Sequence, residues 1–234
     1  MNITSLQNEH VKYWVHLQDK KFRDEEKVFL IEGDHLITEA RNAGLKLQTI
    51  GLDASDDFIV TKEILKKIST QKSGCNKAAV VSFLPEKTLT GNILVLDNIQ
   101  DPGNLGTIIR SAVAFNMPNI ILSDDSADLY NPKVIRSTEG MIFKVNVKRQ
   151  NLQDVLPKLK DDGYKIIGTN VDSGENIQKY KKEKIALVIG NEGKGLKEST
   201  KSLCDEFVNI KINENCESLN AGVAASILMY EVNK

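Results

Sequence analysis

A glycine-rich turn with a single carboxylate, Gly190-Asn191-Glu192-Gly193-Lys194-Gly195, follows an apolar run that ends Leu187-Val188-Ile189. The glycines suit a tight loop in which Gly190, Gly193 and Gly195 supply positive φ. A tight loop does not account for Glu192, an acid at the carboxyl end of a buried strand. A second such place is residues 94–110, LVLDNIQDPGNLGTIIR. Ile93–Leu96 reads as a buried strand and residues 97–103 as a turn. Asn104 reads as the cap of a helix with Ile108, Ile109, Ala112 and Val113 on its apolar face. Arg110 stands among those apolar positions, where a long cationic side chain is unusual for a purely solvated face. A third place is Cys216-Glu217-Ser218-Leu219-Asn220, which also reads as an ordinary helix start capped by Glu217 and Ser218. Strand, polar turn and helix N-terminus in succession is where open α/β sheets bind ligands. The glycine spacing is not that of a dinucleotide fingerprint, and a phosphate-binding P-loop lacks its Gly-Lys-Ser/Thr.

These residues need a scaffold, and the chain supplies an alternating one. Strands are expected at Ile93–Leu96, 120–122, 143–147, 164–169, Ile185–Ile189 and 208–212. Helices are expected from Asn104, from Pro132, over Leu152, Val155, Leu156 and Leu159, and at 218–230. This alternation predicts a parallel sheet with helices on both faces. Before it, residues 10–83 read as a smaller α/β unit, with strands near 28–31, 47–52, 58–60 and 78–83. The polar stretch 84–92, LPEKTLTGN, reads as a linker. Two domains follow, 1–88 and 89–234.

Composition narrows the classes. The chain has 234 residues, 41% of them hydrophobic and 27% charged, with a net charge of −1, so any nucleic-acid contact must come from a local patch. The one basic cluster in the first domain is Lys20, Lys21 and Arg23, flanked by Asp19, Asp24, Glu25 and Glu26. By itself it reads as a solvated helix end. Cys75, Cys204 and Cys216 lack paired metal spacing, so no metal site is expected. No apolar run spans a bilayer and MNITSLQNEH lacks a signal-peptide core, so a cytoplasmic location is expected.

Taken in order, Asn104, Gly106 and Arg110 (N-x-G-x-x-x-R), residues 190–195 (G-N-E-G-x-G) and residues 217–220 (E-S-L-N) resemble the three motifs of the SpoU/TrmH family of RNA ribose 2′-O-methyltransferases. The stretch K-K-x-R followed by F-L-I-E-G resembles the substrate-binding domain that precedes the catalytic domain in many of these enzymes, a small ribosomal-protein-like α/β unit. The resemblance implies a C-terminal trefoil knot, S-adenosyl-L-methionine as methyl donor, and a homodimer whose active site uses both protomers. It implies methylation of RNA, ribosomal more than transfer RNA. A non-catalytic RNA-binding or ribosome-assembly factor that keeps the fold is the competing class. The implied catalytic set is Arg110, Asn104, Glu192, Ser218 and Asn220. Gly190, Ile210 and Leu219, with Thr169 beside them, would hold the cofactor, and Lys20, Lys21 and Arg23 would touch RNA phosphates. The chain departs from the family at Lys211, usually Pro, at Glu214, near which a Gly is usual, and at Asn220-Ala221-Gly222-Val223-Ala224, in place of a small-residue pattern.

Overall fold

The computed structural model describes residues 1–171 and 173–234. In chain order the first elements are β1 (Asn2–Ile3), α1 (Glu9–His16), α2 (Lys20–Glu26), β2 (Val28–Glu32), α3 (Asp34–Asn42), β3 (Leu47–Gly51), β4 (Phe58–Val60), α4 (Lys62–Ile68) and β5 (Lys77–Ser82). Then come β6 (Ile93–Leu96), α5 (Pro102–Ala114), β7 (Asn119–Leu122), α6 (Pro132–Ser137), β8 (Asn146–Arg149), α7 (Leu152–Asp161), β9 (Lys165–Thr169), β10 (Ile185–Ile189), α8 (Glu198–Lys201), β11 (Glu206–Val208) and α9 (Ala221–Asn233). The chain divides into two compact units: Met1–Leu84 with Asp128–Phe143, and Pro85–Ala127 with Lys144–Lys234.

The first unit is built on a five-stranded mixed sheet, β1-β4-β3-β5-β2, in which β5 runs antiparallel to both its neighbours. Successive strand residues point to opposite faces. Leu30 and Val80 therefore join Val11, Trp14, Ile64 and Ile68 in one apolar cluster. Phe29, Ile31, Ala79 and Val81 join Leu36, Ile37 and Ala40 in another, together with Tyr130, Ile135 and Ile142 from the later segment. Short polar side chains start the helices: Asn8 accepts from the His10 N–H, Asp19 from Lys21 and Thr61 from Ile64.

Arg23 corrects the expectation of a three-residue RNA contact. It is 3% exposed. Its guanidinium donates to the carbonyls of Leu17 and Gln18 at 2.8 and 2.7 Å, closing the end of α1, and pairs with the Asp128 carboxylate at 2.6 Å. The helical turn that leaves Lys20 and Lys21 exposed puts Arg23 on the inner side of α2. Arg23→Ala strands a nearly buried carboxylate and should destabilise this unit by about 3 kcal/mol. Urea denaturation checks it. Lys20→Ala and Lys21→Ala should stay within about 0.5 kcal/mol of the parent.

The second unit is a six-stranded, wholly parallel sheet, β11-β9-β10-β6-β7-β8. Ile93 and Val95 of β6 pack with Leu152, Val155, Leu156 and Leu159 of α7. Leu94 and Leu96 face the other side and are equally buried, as is all of β10. Central parallel strands buried on both faces read as continuous apolar runs, which is why both were legible. From β6 the chain moves outward to β7 and β8, then returns to the other side of β6 with β10, β9 and β11. The strand order therefore reverses between β6 and β10.

Four boundaries differ from the sequence reading. α5 is capped by Asp101, whose side chain accepts from the Asn104 N–H; Pro102, with no N–H to leave unpaired, takes the first position. Residues 143–147 are not one strand: Met141–Lys144 is a 3-10 turn, with Phe143 packed against the first unit's apolar cluster, and β8 starts at Asn146. β11 ends at Val208, which pairs with Thr169, the last residue of β9. α9 starts at Ala221 with Asn220 as its cap, leaving Ser218 and Leu219 in the preceding loop. Among the described residues no helix is long and apolar enough to cross a membrane.

Candidate functional site

A cavity of about 470 Å³ opens at the carboxyl ends of β9 and β10. Its wall is made by Thr169 and Asn170, by the whole loop of residues 190–196, by Val208, Asn209, Ile210 and Ile212, and by Glu217, Ser218 and Leu219. Its volume lies in the range of ordinary ligand pockets. The four positions expected to hold a cofactor, Gly190, Ile210, Leu219 and Thr169, are all in this one wall. Thr169 spends its hydroxyl proton on the Val188 carbonyl at 3.0 Å, so it shapes the strand end and leaves oxygen lone pairs toward other donors. Lys211 and Glu214 are exposed and not part of the wall, so two of the departures fall on the outside of the loop.

Gly190 is required by space. A Cβ there would lie 2.4 Å from the Gly195 carbonyl carbon and 2.5 Å from the Leu196 nitrogen, closer than real Cβ contacts come. Gly195 is required by its φ of +65°. Between them Asn191 folds the loop on itself. Its backbone exchanges hydrogen bonds with Gly195, at 3.0 and 2.9 Å, and its side-chain oxygen accepts from the Gly193 and Lys194 N–H groups. Asn191 stood in the motif with no role assigned, and its signal is the ability of asparagine to bond backbone two residues on.

The polar candidates converge from three distant parts of the sequence. The Asn220 amide donates to the Asn104 Oδ1 at 2.8 Å, and the Asn104 amide donates to the Glu192 carboxylate. The Asn220 oxygen accepts from Gly222 and Val223 at the start of α9, which fixes which end of its amide faces Asn104. Asn104 is thus held from both sides, and the row Asn220–Asn104–Glu192 leads to the cavity wall, which includes Glu192 and Ser218. Asn104 sits in the first turn of α5, not at its cap.

Arg110 does not join this row. It is exposed on α5, is not in the cavity wall, and has no hydrogen-bond or ion-pair partner among the described residues. α5 packs along α9, whose outer side shows a stripe of large apolar residues: Val223 at 46%, Ile227 at 37% and Tyr230 at 45% exposure. In the first unit Lys20 pairs with Asp24, and Lys21 lies 4.0 Å from Glu25, so the two remaining basic candidates are partly neutralised by their own helix. Among the described residues no group of three or more His, Cys, Asp or Glu is arranged to hold a metal ion.

Residues 91–230 match the SpoU rRNA Methylase family, and residues 8–77 match the MRM3-like substrate binding domain. The chain is 34% identical over 243 residues to the 23S rRNA (guanosine(2553)-2′-O)-methyltransferase RlmP of Bacillus subtilis, covering 98% of each. A crystal structure of an AdoMet-bound rRNA methyltransferase from Sinorhizobium meliloti superposes with a TM-score of 0.89 at 25% identity, over 99% of this chain and 97% of that one. A crystal structure of an RNA 2′-O ribose methyltransferase superposes with a TM-score of 0.83 at 29% identity, over 99% and 98%.

Proposed function

This chain belongs to the SpoU rRNA methylase family, and on that premise we propose that it transfers a methyl group from S-adenosylmethionine to a ribose 2′-hydroxyl of ribosomal RNA in the cytoplasm. The observation that carries the reading is the wall of one cavity. Gly190, Ile210, Leu219 and Thr169 line it together, and the row Asn220–Asn104–Glu192 ends in it. The wall fits this cofactor. Ile189, Ile210, Leu219 and Leu228 offer apolar surface to a base, and Gly190 brings backbone as close as a side chain would forbid.

S-adenosylmethionine, when bound, supplies a methyl group already activated as a sulfonium. The chain's own work is to hold the ribose hydroxyl in line and ease loss of its proton, and positioning of this kind is worth roughly 7–11 kcal/mol of barrier. Asn104, aligned by Asn220, and Glu192 orient the ribose, and Ser218 completes the set from the cavity wall. Arg110 anchors the neighbouring phosphate and stabilises the developing alkoxide. A guanidinium, with a pKa above about 12, is a poor general base but a strong electrostatic partner.

Arg110 stands outside its own chain's cavity, so a second copy of the chain completes the site. The stripe Val223, Ile227 and Tyr230 on α9, beside the helix that carries Arg110, is where the copies would meet. Ile227→Glu should turn a dimer into a monomer with an intact cavity, read by light scattering after size exclusion. The first domain, residues 1–88, would dock the RNA, with Lys20 and Lys21 as phosphate contacts, and residues 89–234, less the segment Asp128–Phe143 that belongs to the first unit, would form the knotted methyltransferase domain. The reading is tested by mapping ribose methylation in ribosomal RNA from a deletion strain. One methyl group should vanish and return with the wild-type gene. An unchanged ribosomal RNA with a lost transfer-RNA methyl would move the substrate, and no lost methyl would favour the assembly factor.

A further inference from the structure

The loop of residues 190–196, which walls the cavity, is held at both ends by a residue that does not touch the cavity. Asp97 follows β6 and is 1% exposed. The pairing of Leu96 with Ile189 across β6 and β10 sets it beside the point where the loop leaves the sheet. Its backbone N–H donates to the Ile189 carbonyl at 2.9 Å, one residue before the loop. Its Oδ2 accepts the Lys197 N–H at 3.0 Å, one residue after the loop. The next residue, Asn98, has a left-handed φ of 59° and accepts a third bond on its carbonyl, from the Asn191 side chain at 3.0 Å. Two consecutive residues of β6's end therefore tie down the start, the fold-back and the exit of the loop.

The choice of a carboxylate here is costly. Asp97 Oδ1 is buried with no hydrogen-bond partner among the described residues, and Lys197 Nζ, 3.9 Å away, is bonded to Asp125. Asp125 in turn accepts from the Ser123 hydroxyl, which accepts from the Asn98 N–H at 2.9 Å. An unpaired buried oxygen is tolerated where the group it belongs to does something a neutral one does less well. A charged acceptor holds a backbone N–H about twice as strongly as a neutral one.

We propose that Asp97 is a positioning residue for the methyl-transfer site: it fixes the conformation of residues 190–196, and through it the affinity for S-adenosylmethionine and the place of Glu192. The inference rests on the cofactor reading of the cavity. It is tested by titration calorimetry of S-adenosylmethionine into the full chain and four variants, each checked by near-UV circular dichroism and for its melting temperature. Asp97→Ala removes the acceptor and should weaken binding about tenfold or more, the loss of one hydrogen bond to a charged group. Asp97→Asn keeps an acceptor oxygen without the charge and should restore only part of that loss. Lys197→Pro removes the N–H from the other side without touching Asp97, at a φ of −62° that proline adopts, and should match Asp97→Ala. Lys197→Ala keeps the N–H and should bind like the parent. A general loss of stability would move melting temperatures without producing this pattern. Parent-like affinity in Lys197→Pro, or equal losses in Lys197→Pro and Lys197→Ala, would overturn the inference. No binding by the parent protein would overturn the cofactor reading itself.

Discussion

Arg110→Ala is expected to lower methyl transfer by about a thousandfold, the scale seen when one preorganised donor to a developing oxyanion is removed. Affinity for S-adenosylmethionine should stay unchanged, since Arg110 lies outside the cavity wall. The helix that carries it is rigid: Leu105, Ile108, Ile109 and Ala112 are fully buried. Its guanidinium projects from a fixed base with no partner among the described residues to compete for it. Arg110→Lys keeps the charge but not the planar fork, and should recover only a small part of the rate. A mixing experiment separates a shared site from a self-contained one. Arg110→Ala and Leu219→Arg protomers, each inactive alone, are combined and allowed to exchange. If the arginine acts across the dimer, half the dimers are mixed and each has one intact site, so about a quarter of the activity returns. If each chain uses its own arginine, none returns.

The parts of this molecule legible in its sequence are those whose physics is local. β6 and β10 announce themselves because both faces are buried and the apolar run is unbroken. α7 does so because its four buried residues keep helical spacing. What stayed hidden depends on where distant segments land. Nothing in the local pattern of Tyr130, Ile135 and Ile142 tells which sheet they will cover, and they cover the first unit's. Arg23 belongs to a basic cluster in sequence, yet the partner that explains it, Asp128, is 105 residues away. The bonds from Asn104 to Glu192 and to Asn220 span 88 and 116 residues. Spacing alone could not join them; the three motifs did, through the family. Arg110 is the converse case: grouped with the others by motif, it is set apart by the structure, and that separation is what directs attention to a second copy.

Leu219→Arg should abolish S-adenosylmethionine binding, a loss of at least about a hundredfold, while the protein remains folded. Leu219 lies in the loop before α9, half-buried, and the apolar clusters that hold the sheet do not include it. The substitution therefore costs the fold little. It places a permanent charge against a wall shared with Ile210, Ile212 and Leu228, where an unpaired charge is strongly disfavoured unless it reaches water, and the route to water is the cavity itself. The long side chain would then occupy the space meant for the cofactor. Leu219→Met, similar in volume and apolar, should bind within a few-fold of the parent, which separates filling the cavity from altering the loop. Gly190→Ala reaches the same end by another route. Its Cβ would fall 2.4 Å from the Gly195 backbone and displace residues 190–196, pulling on the Asn191 bond to the Asn98 carbonyl and on the Lys197 bond to Asp97 just beyond the loop. If Leu219→Arg bound the cofactor as the parent does, the cofactor would have to lie elsewhere. The agreement of Gly190, Ile210, Leu219 and Thr169 on one wall would then be a consequence of folding the loop and not of the ligand it holds.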